Sequence, residues 1–156
     1  MITIIIIVIT SLISIRAFKD NELMGRLIFH PPAVKQGNGY RLFSYGVVHA
    51  DYTHLIFYMF TLYFFGPAIE RTFKSVLGPT SGSIFFILLY LTALFVSIIP
   101  TYFKKKDNAS YYSLGASGAV SAIIFAYVLI NPMNYMGILF IPIMLRRFFF
   151  AFPYFS

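Results

Sequence analysis

The chain has 156 residues, 59% of them hydrophobic and 11% charged, with a mean hydropathy of +0.79. A soluble domain is closer to half apolar and a quarter charged, so this composition excludes an ordinary soluble fold and points to several membrane passes. The net charge of +7 is carried between the apolar runs, which suits loops at an anionic lipid surface and argues against a nucleic-acid partner. Cysteine is absent, which excludes disulfides, thiolate chemistry and cysteine-ligated zinc.

The apolar runs are continuous rather than alternating. Backbone groups in a bilayer must pair internally, so an all-α polytopic transmembrane helical bundle is expected, with about five apolar segments. The first spans Ile2 to Ile15, short for a crossing unless Ala17 and Phe18 extend it. It lacks the basic start and small-residue cleavage site of a signal peptide and reads as a retained membrane helix.

A long polar connection follows from Arg16 to Phe43. Pro31-Pro32 and Gly37-Asn38-Gly39 punctuate it, and Leu23, Leu27, Ile28 and Phe29 suggest amphipathic pieces at the interface. The second segment runs from Tyr52 to Ala68 and ends at Glu70-Arg71, which read as interfacial charges or a structural pair. Lys74 to Ser83, with Gly78-Pro79, reads as a short turn region. The third segment, Ile84 to Ile99, ends at Pro100, and a basic connection holding Lys104, Lys105 and Lys106 follows.

The fourth segment starts near Gly115 and ends near Leu129, with Asn131-Pro132 as its stop. The fifth starts near Met136 and is interrupted after about ten residues by Arg146-Arg147, a pair costing about 2.5 kcal/mol or more each at mid-bilayer. If segments alternate, the Arg16–Phe43 and Lys104–Lys106 connections share one side. They hold eight Lys and Arg, against Arg71 and Lys74 on the other side, and counting positive charges places the richer side in the cytoplasm.

Two places carry possible chemistry. In Gly115-Ala116-Ser117-Gly118, the glycines leave the backbone open beside a hydroxyl at a helix start. Unpaired amides and a positive dipole end there suit an oxyanion. The small residues equally suit close helix packing, and on spacing alone packing is the simpler reading. His54 lies in an apolar segment, where a histidine is costly, and it shares a helix face with Tyr58. Structural and catalytic readings of His54 stand level. His49, just before the segment, reads as an interfacial or capping histidine. His30, His49 and His54 lack metal-ligand spacing, so no metal site is expected.

Taken together, His54-x-x-x-Tyr58, Gly66, Glu70-Arg71 and the Gly-Ala-Ser-Gly turn resemble the rhomboid family of intramembrane serine proteases. The stretch FSYGVVHADYTHLIFYMFTLYFFGPAIER, Phe43 to Arg71, is similar to that family's second helix and its approach, and Tyr40-Arg41 resembles an aromatic–arginine pair of its first loop. The likeness runs from Ile2 to about Met136, and the whole chain, 1–156, is read as a single rhomboid-like membrane domain.

The resemblance implies that Ser117 is the nucleophile, that its N–H and the His54 side chain stabilise the oxyanion, and that Gly115 lines the site. It implies hydrolysis of peptide bonds in transmembrane protein substrates near helix ends rich in helix breakers, with no cofactor. It also places the first long connection and the Ser117 opening outside the cytoplasm, against the charge count.

Two departures stand beside it. Tyr58 occupies the position of the family's asparagine. No histidine follows Ser117, so the family's general base and its sixth helix are missing from these residues, and the part from about 143 reads as aberrant or truncated. A serine without an adjacent base is a poor nucleophile. The chain as written is therefore expected to be inactive, with a rhomboid-like pseudoprotease that binds membrane helices without cleavage as the alternative. A channel or transporter fragment is disfavoured, since no series of intramembrane carboxylates or paired broken helices is visible. A multi-pass location in a bacterial plasma membrane is expected.

Overall fold

The computed structural model describes residues 1–131 and is α-helical there. Four longer helices, α1 (Ile2–Ala17), α5 (Tyr52–Leu77), α6 (Pro79–Lys105) and α7 (Ser117–Ile130), run alternately up and down. Between the first two lie α2 (Asn21–Leu27), α3 (Pro31–Lys35), α4 (Arg41–Ser44) and a 3-10 turn, Tyr45–Val47. Helix α5 is central and packs on α1, α6 and α7, while α6 and α7 also pack on each other. The expected fifth segment and Arg146-Arg147 lie outside the described residues.

Helix α1 is inside-out by soluble standards. It buries Thr3, Thr10, Ser14 and Ala17 and exposes Ile4, Ile5, Val8, Ile9, Leu12 and Ile15. Water would favour the reverse. In lipid, apolar side chains gain nothing by turning inward, and small or hydroxyl residues let helices approach and bond. Helix α5 buries Leu55, Met59, Leu62, Gly66 and Ile69, alternating three and four apart, and presents Phe57, Phe60, Tyr63 and Phe64 outward.

Glycines set the closest approaches. A β-carbon on Gly66 would collide with Thr3 of α1, and one on Gly118 would collide with Ser97 of α6. By length and composition, α6 is the described helix that is long and apolar enough to cross a bilayer, while α1 and α7 are shorter apolar helices.

Several expected boundaries are corrected. Helix α5 does not stop at Arg71 but continues through Pro67 to Leu77, and α6 passes Pro100 to reach Lys105. Membrane helices tolerate such prolines because neighbouring groups satisfy the freed carbonyls. The Lys74–Ser83 turn region shrinks to Gly78, whose φ of 85° is open to glycine at little cost.

Glu70 is not an exposed interfacial charge. It is 1% exposed and accepts from the Ile2 and Thr3 amides, both at 2.9 Å, the Thr3 hydroxyl at 2.8 Å and Lys74 Nζ at 2.6 Å. It therefore caps the start of α1 from another helix, and its charge partner is Lys74; Arg71 is exposed.

The two polar connections do share one end. Phe29 and Ser113 exchange backbone bonds of 2.9 and 3.1 Å, His30 Nε2 lies 3.1 Å from the Ala109 carbonyl, and Lys35 bonds Asp107 at 2.5 Å. The connection before Ser117 is thus fastened to the one after α1.

Candidate active site

The turn at Gly115 governs the site. Gly115 has a φ of 103°, a backbone state that favours glycine, and its amide donates to the Tyr45 carbonyl at 2.9 Å. The chain then enters α7 with Ser117 as its first residue. The first helical bond here is Val120 N–H to the Ala116 carbonyl, so the amides of Ser117, Gly118 and Ala119 point out of the helix start. Ser117 itself is exposed.

Ser117 lines a cavity of about 290 Å³ between α6 and α7. The polar walls are Tyr45, Ser97, Thr101, Ser113 and Ser121. Tyr45 Oη donates to the Leu94 carbonyl at 2.7 Å and lies 3.1 Å from Ser97 Oγ, which fixes one wall. Hydroxyls both donate and accept, so this lining can hold a peptide carbonyl or amide, but none of its groups is a strong base. Sequence reasoning did not single out Ser97 and Thr101; their spacing of four in an apolar run was the available signal.

His54 sits in the first turn of α5 rather than inside an apolar span. It is exposed, its amide donates to Asp51 Oδ1 at 2.8 Å, and its Nδ1 lies 3.1 Å from Asp51 Oδ2. The His54 amide, with further contributions from the neighbouring imidazole, holds the Asp51 carboxyl below its usual range. The His54 ring stacks on Tyr58 at 6.3 Å between centroids. His54 is not among the walls of the Ser117 cavity.

His49 caps no helix and is not exposed; it is fully buried. Its Nδ1 lies 3.1 Å from Ser14 Oγ, and the Ser14 hydroxyl donates to the Val47 carbonyl at 2.9 Å. Having spent its one proton on that carbonyl, Ser14 can only accept from His49, so Nδ1 carries the imidazole proton. The buried Nε2 is then an acceptor with no partner among the described residues. Burial, helped by His54, lowers the His49 pKa to about 4 and keeps the ring neutral.

His49 is also the neighbour of two proposed site residues. A β-carbon on Gly115 would lie 4.0 Å from His49 Cδ2, and the Tyr58 ring is 5.7 Å away. Gly115, His49, Tyr58 and His54 therefore form a continuous row, while Ser117 faces the hydroxyl-lined cavity. The signal for His49 was the hydroxyl residue Ser14 in α1, unreadable without the fold.

Residues 36–155 match the family model described as Rhomboid domain. Among curated proteins, the chain is 27% identical over 124 residues to RHOMBOID-like protein 12, mitochondrial, of Arabidopsis thaliana, covering 75% of this chain and 37% of that protein. It is 32% identical over 95 residues to YdcA of Bacillus subtilis (strain 168), whose name makes it a candidate rhomboid protease, covering 61% of this chain and 43% of that one. The chain spans less than half the length of these relatives. No solved structure matches it.

Proposed function

The chain belongs to the rhomboid family of integral membrane proteins, and from that premise we propose that its site is that of an intramembrane serine endopeptidase with Ser117 as nucleophile. The supporting observation is the seat of Ser117, first in α7 after a left-handed glycine and beside an open cavity. Ser117 Oγ would attack the carbonyl of a transmembrane substrate near a helix end. The amides at the α7 start and the His54 side chain would receive the oxyanion, Gly115 would let the substrate backbone close in, and Tyr58 stands where the family pattern has asparagine.

Attack requires removal of the hydroxyl proton. All three histidines of these 156 residues precede Ser117, and none lines its cavity. These residues by themselves are therefore proposed to bind substrate helices without hydrolysing them. A cavity whose polar side chains are all hydroxyls favours a second reading, a rhomboid-like pseudoprotease for which binding is the whole function.

The test reconstitutes the chain with a fluorescent transmembrane substrate and follows both cleavage and energy transfer on binding. Binding without cleavage is the expected result. Cleavage that disappears in Ser117→Ala would overturn the non-cleaving reading and leave the endopeptidase assignment standing. Neither binding nor cleavage would sink both. A bacterial plasma membrane is the proposed location, checked by fractionating the source cells.

A further inference from the structure

We propose that the corner formed by Lys104, Lys105 and Lys106 binds the headgroups of anionic phospholipids. The sequence has five acidic side chains. Asp20 accepts from the Leu23 amide at the start of α2, Glu22 pairs with Arg26, and Asp51 accepts from His54. Glu70 is buried with Lys74 at the opposite end of the bundle. Asp107, the acid adjoining the three lysines, is bonded by Lys35, which reaches it from α3. Each carboxylate thus has its own partner, and residues 132–156 add none.

The carbonyl end of α6 offsets only about half a charge. Lys104 and Lys106 are exposed, and Lys105 lies over the Tyr111 ring at 5.6 Å. The carboxylates of these 156 residues therefore leave this corner with an excess of positive charge.

The surroundings identify the partner for that charge. Phe103, 65% exposed, immediately precedes the lysines, and the exposed Tyr112 stands on the returning chain. Aromatic residues at the end of a long apolar helix mark the headgroup level of a bilayer, which is where lipid phosphates lie. The corner also begins the connection that carries Gly115 and Ser117, so bound headgroups fasten that connection from its outer side. The proposal rests on the membrane location of the family and is independent of whether Ser117 is reactive.

The test is native mass spectrometry of the full chain from nanodiscs of mixed phosphatidylcholine and phosphatidylglycerol. Wild type is expected to retain phosphatidylglycerol preferentially. Lys104→Gln with Lys106→Gln is expected to lower that preference by about five-fold per lysine, while Arg71→Gln at the other end leaves it unchanged. Raising the salt is expected to weaken retention in wild type, which keeps the test valid if the double variant folds poorly. Equal retention of the two lipids by wild type, or unchanged preference in a folded double variant, would overturn the proposal. So would inorganic phosphate raising the melting temperature in pure phosphatidylcholine as much as phosphatidylglycerol does, because the site would then be one for free anions.

Discussion

Ser14 and His49, 35 positions apart, hold each other in one protonation state: the serine proton goes to the Val47 carbonyl and the histidine proton goes to the serine. The ring is neutral, buried and protonated on Nδ1. The unfolded chain binds a proton on this histidine below about pH 6.5, the folded chain only below about pH 4. The unfolded state therefore holds more protons between these values, and stability must rise with pH across the window.

This stability contribution is expected in full above pH 6.5 and to be lost progressively as the pH falls to 4. Melting temperatures in nanodiscs between pH 7.5 and pH 4 measure it. His49→Gln removes the titrating group and should flatten the slope; an unchanged slope would assign the effect to other groups. Nitrogen NMR of labelled histidine checks the tautomer directly: His49 should be protonated on Nδ1, and its Nε2 should give the signal of an unprotonated nitrogen.

Ser14→Ala leaves the His49 Nδ1–H buried without its acceptor. The cost expected is about 1–3 kcal/mol, the usual penalty for an orphaned buried donor. A denaturation series in mixed micelles reads it. A loss no greater than that of an exposed control such as Ser83→Ala would contradict the pairing.

Glu70→Leu removes the acceptor of the Ile2 and Thr3 amides and leaves Lys74 without its partner. A loss of about 3 kcal/mol or more is expected, in the range for breaking buried charge pairs. Loosening should concentrate at the start of α1, where hydrogen exchange at Ile2 and Thr3 should accelerate more than exchange in α7.

Gly118→Leu should separate α6 from α7, because even a β-carbon there meets Ser97. About 1–3 kcal/mol of destabilisation is expected, the range for overpacking. Gly25→Leu is the control, as nothing lies near that position and it should cost less.

The Ser117 cavity, at about 290 Å³, has room for an imidazole molecule. Fluorophosphonate labelling of Ser117 is expected to be slow and to rise roughly ten-fold or more with added imidazole, part of the ~10²–10⁴ a positioned base supplies. Fast labelling without imidazole would show that the hydroxyl already has a base. Labelling that persists in Ser117→Ala would place the reaction elsewhere.

What the sequence made legible follows the range of each interaction. The start of α7 lies within two residues of its expected place because a glycine turn followed by an apolar run is local information. The helices α5 and α6 run beyond their expected ends because Glu70-Arg71 and Pro100 look like stops when a helix is judged as though in water. His49 and Glu70 were misplaced because their partners, Ser14 and the α1 amides, come from 35 to 68 positions away. In the site, Gly115 and Ser117 were visible as a motif, while the hydroxyl wall from α6 needed the packing of α6 on α7.

The Glu70 cap also sets an order in time. Thr3 is synthesised 67 residues before the carboxylate that receives its amide. At about 5–20 residues per second, the first helix spends several seconds without its cap. During that interval α1 is held by lipid alone, and its docking waits for α5 to arrive. Chains released after truncation before Glu70 and after Leu77 should have an α1 that is, respectively, accessible and protected. Equal protection in both would mean that α1 docks by other contacts first.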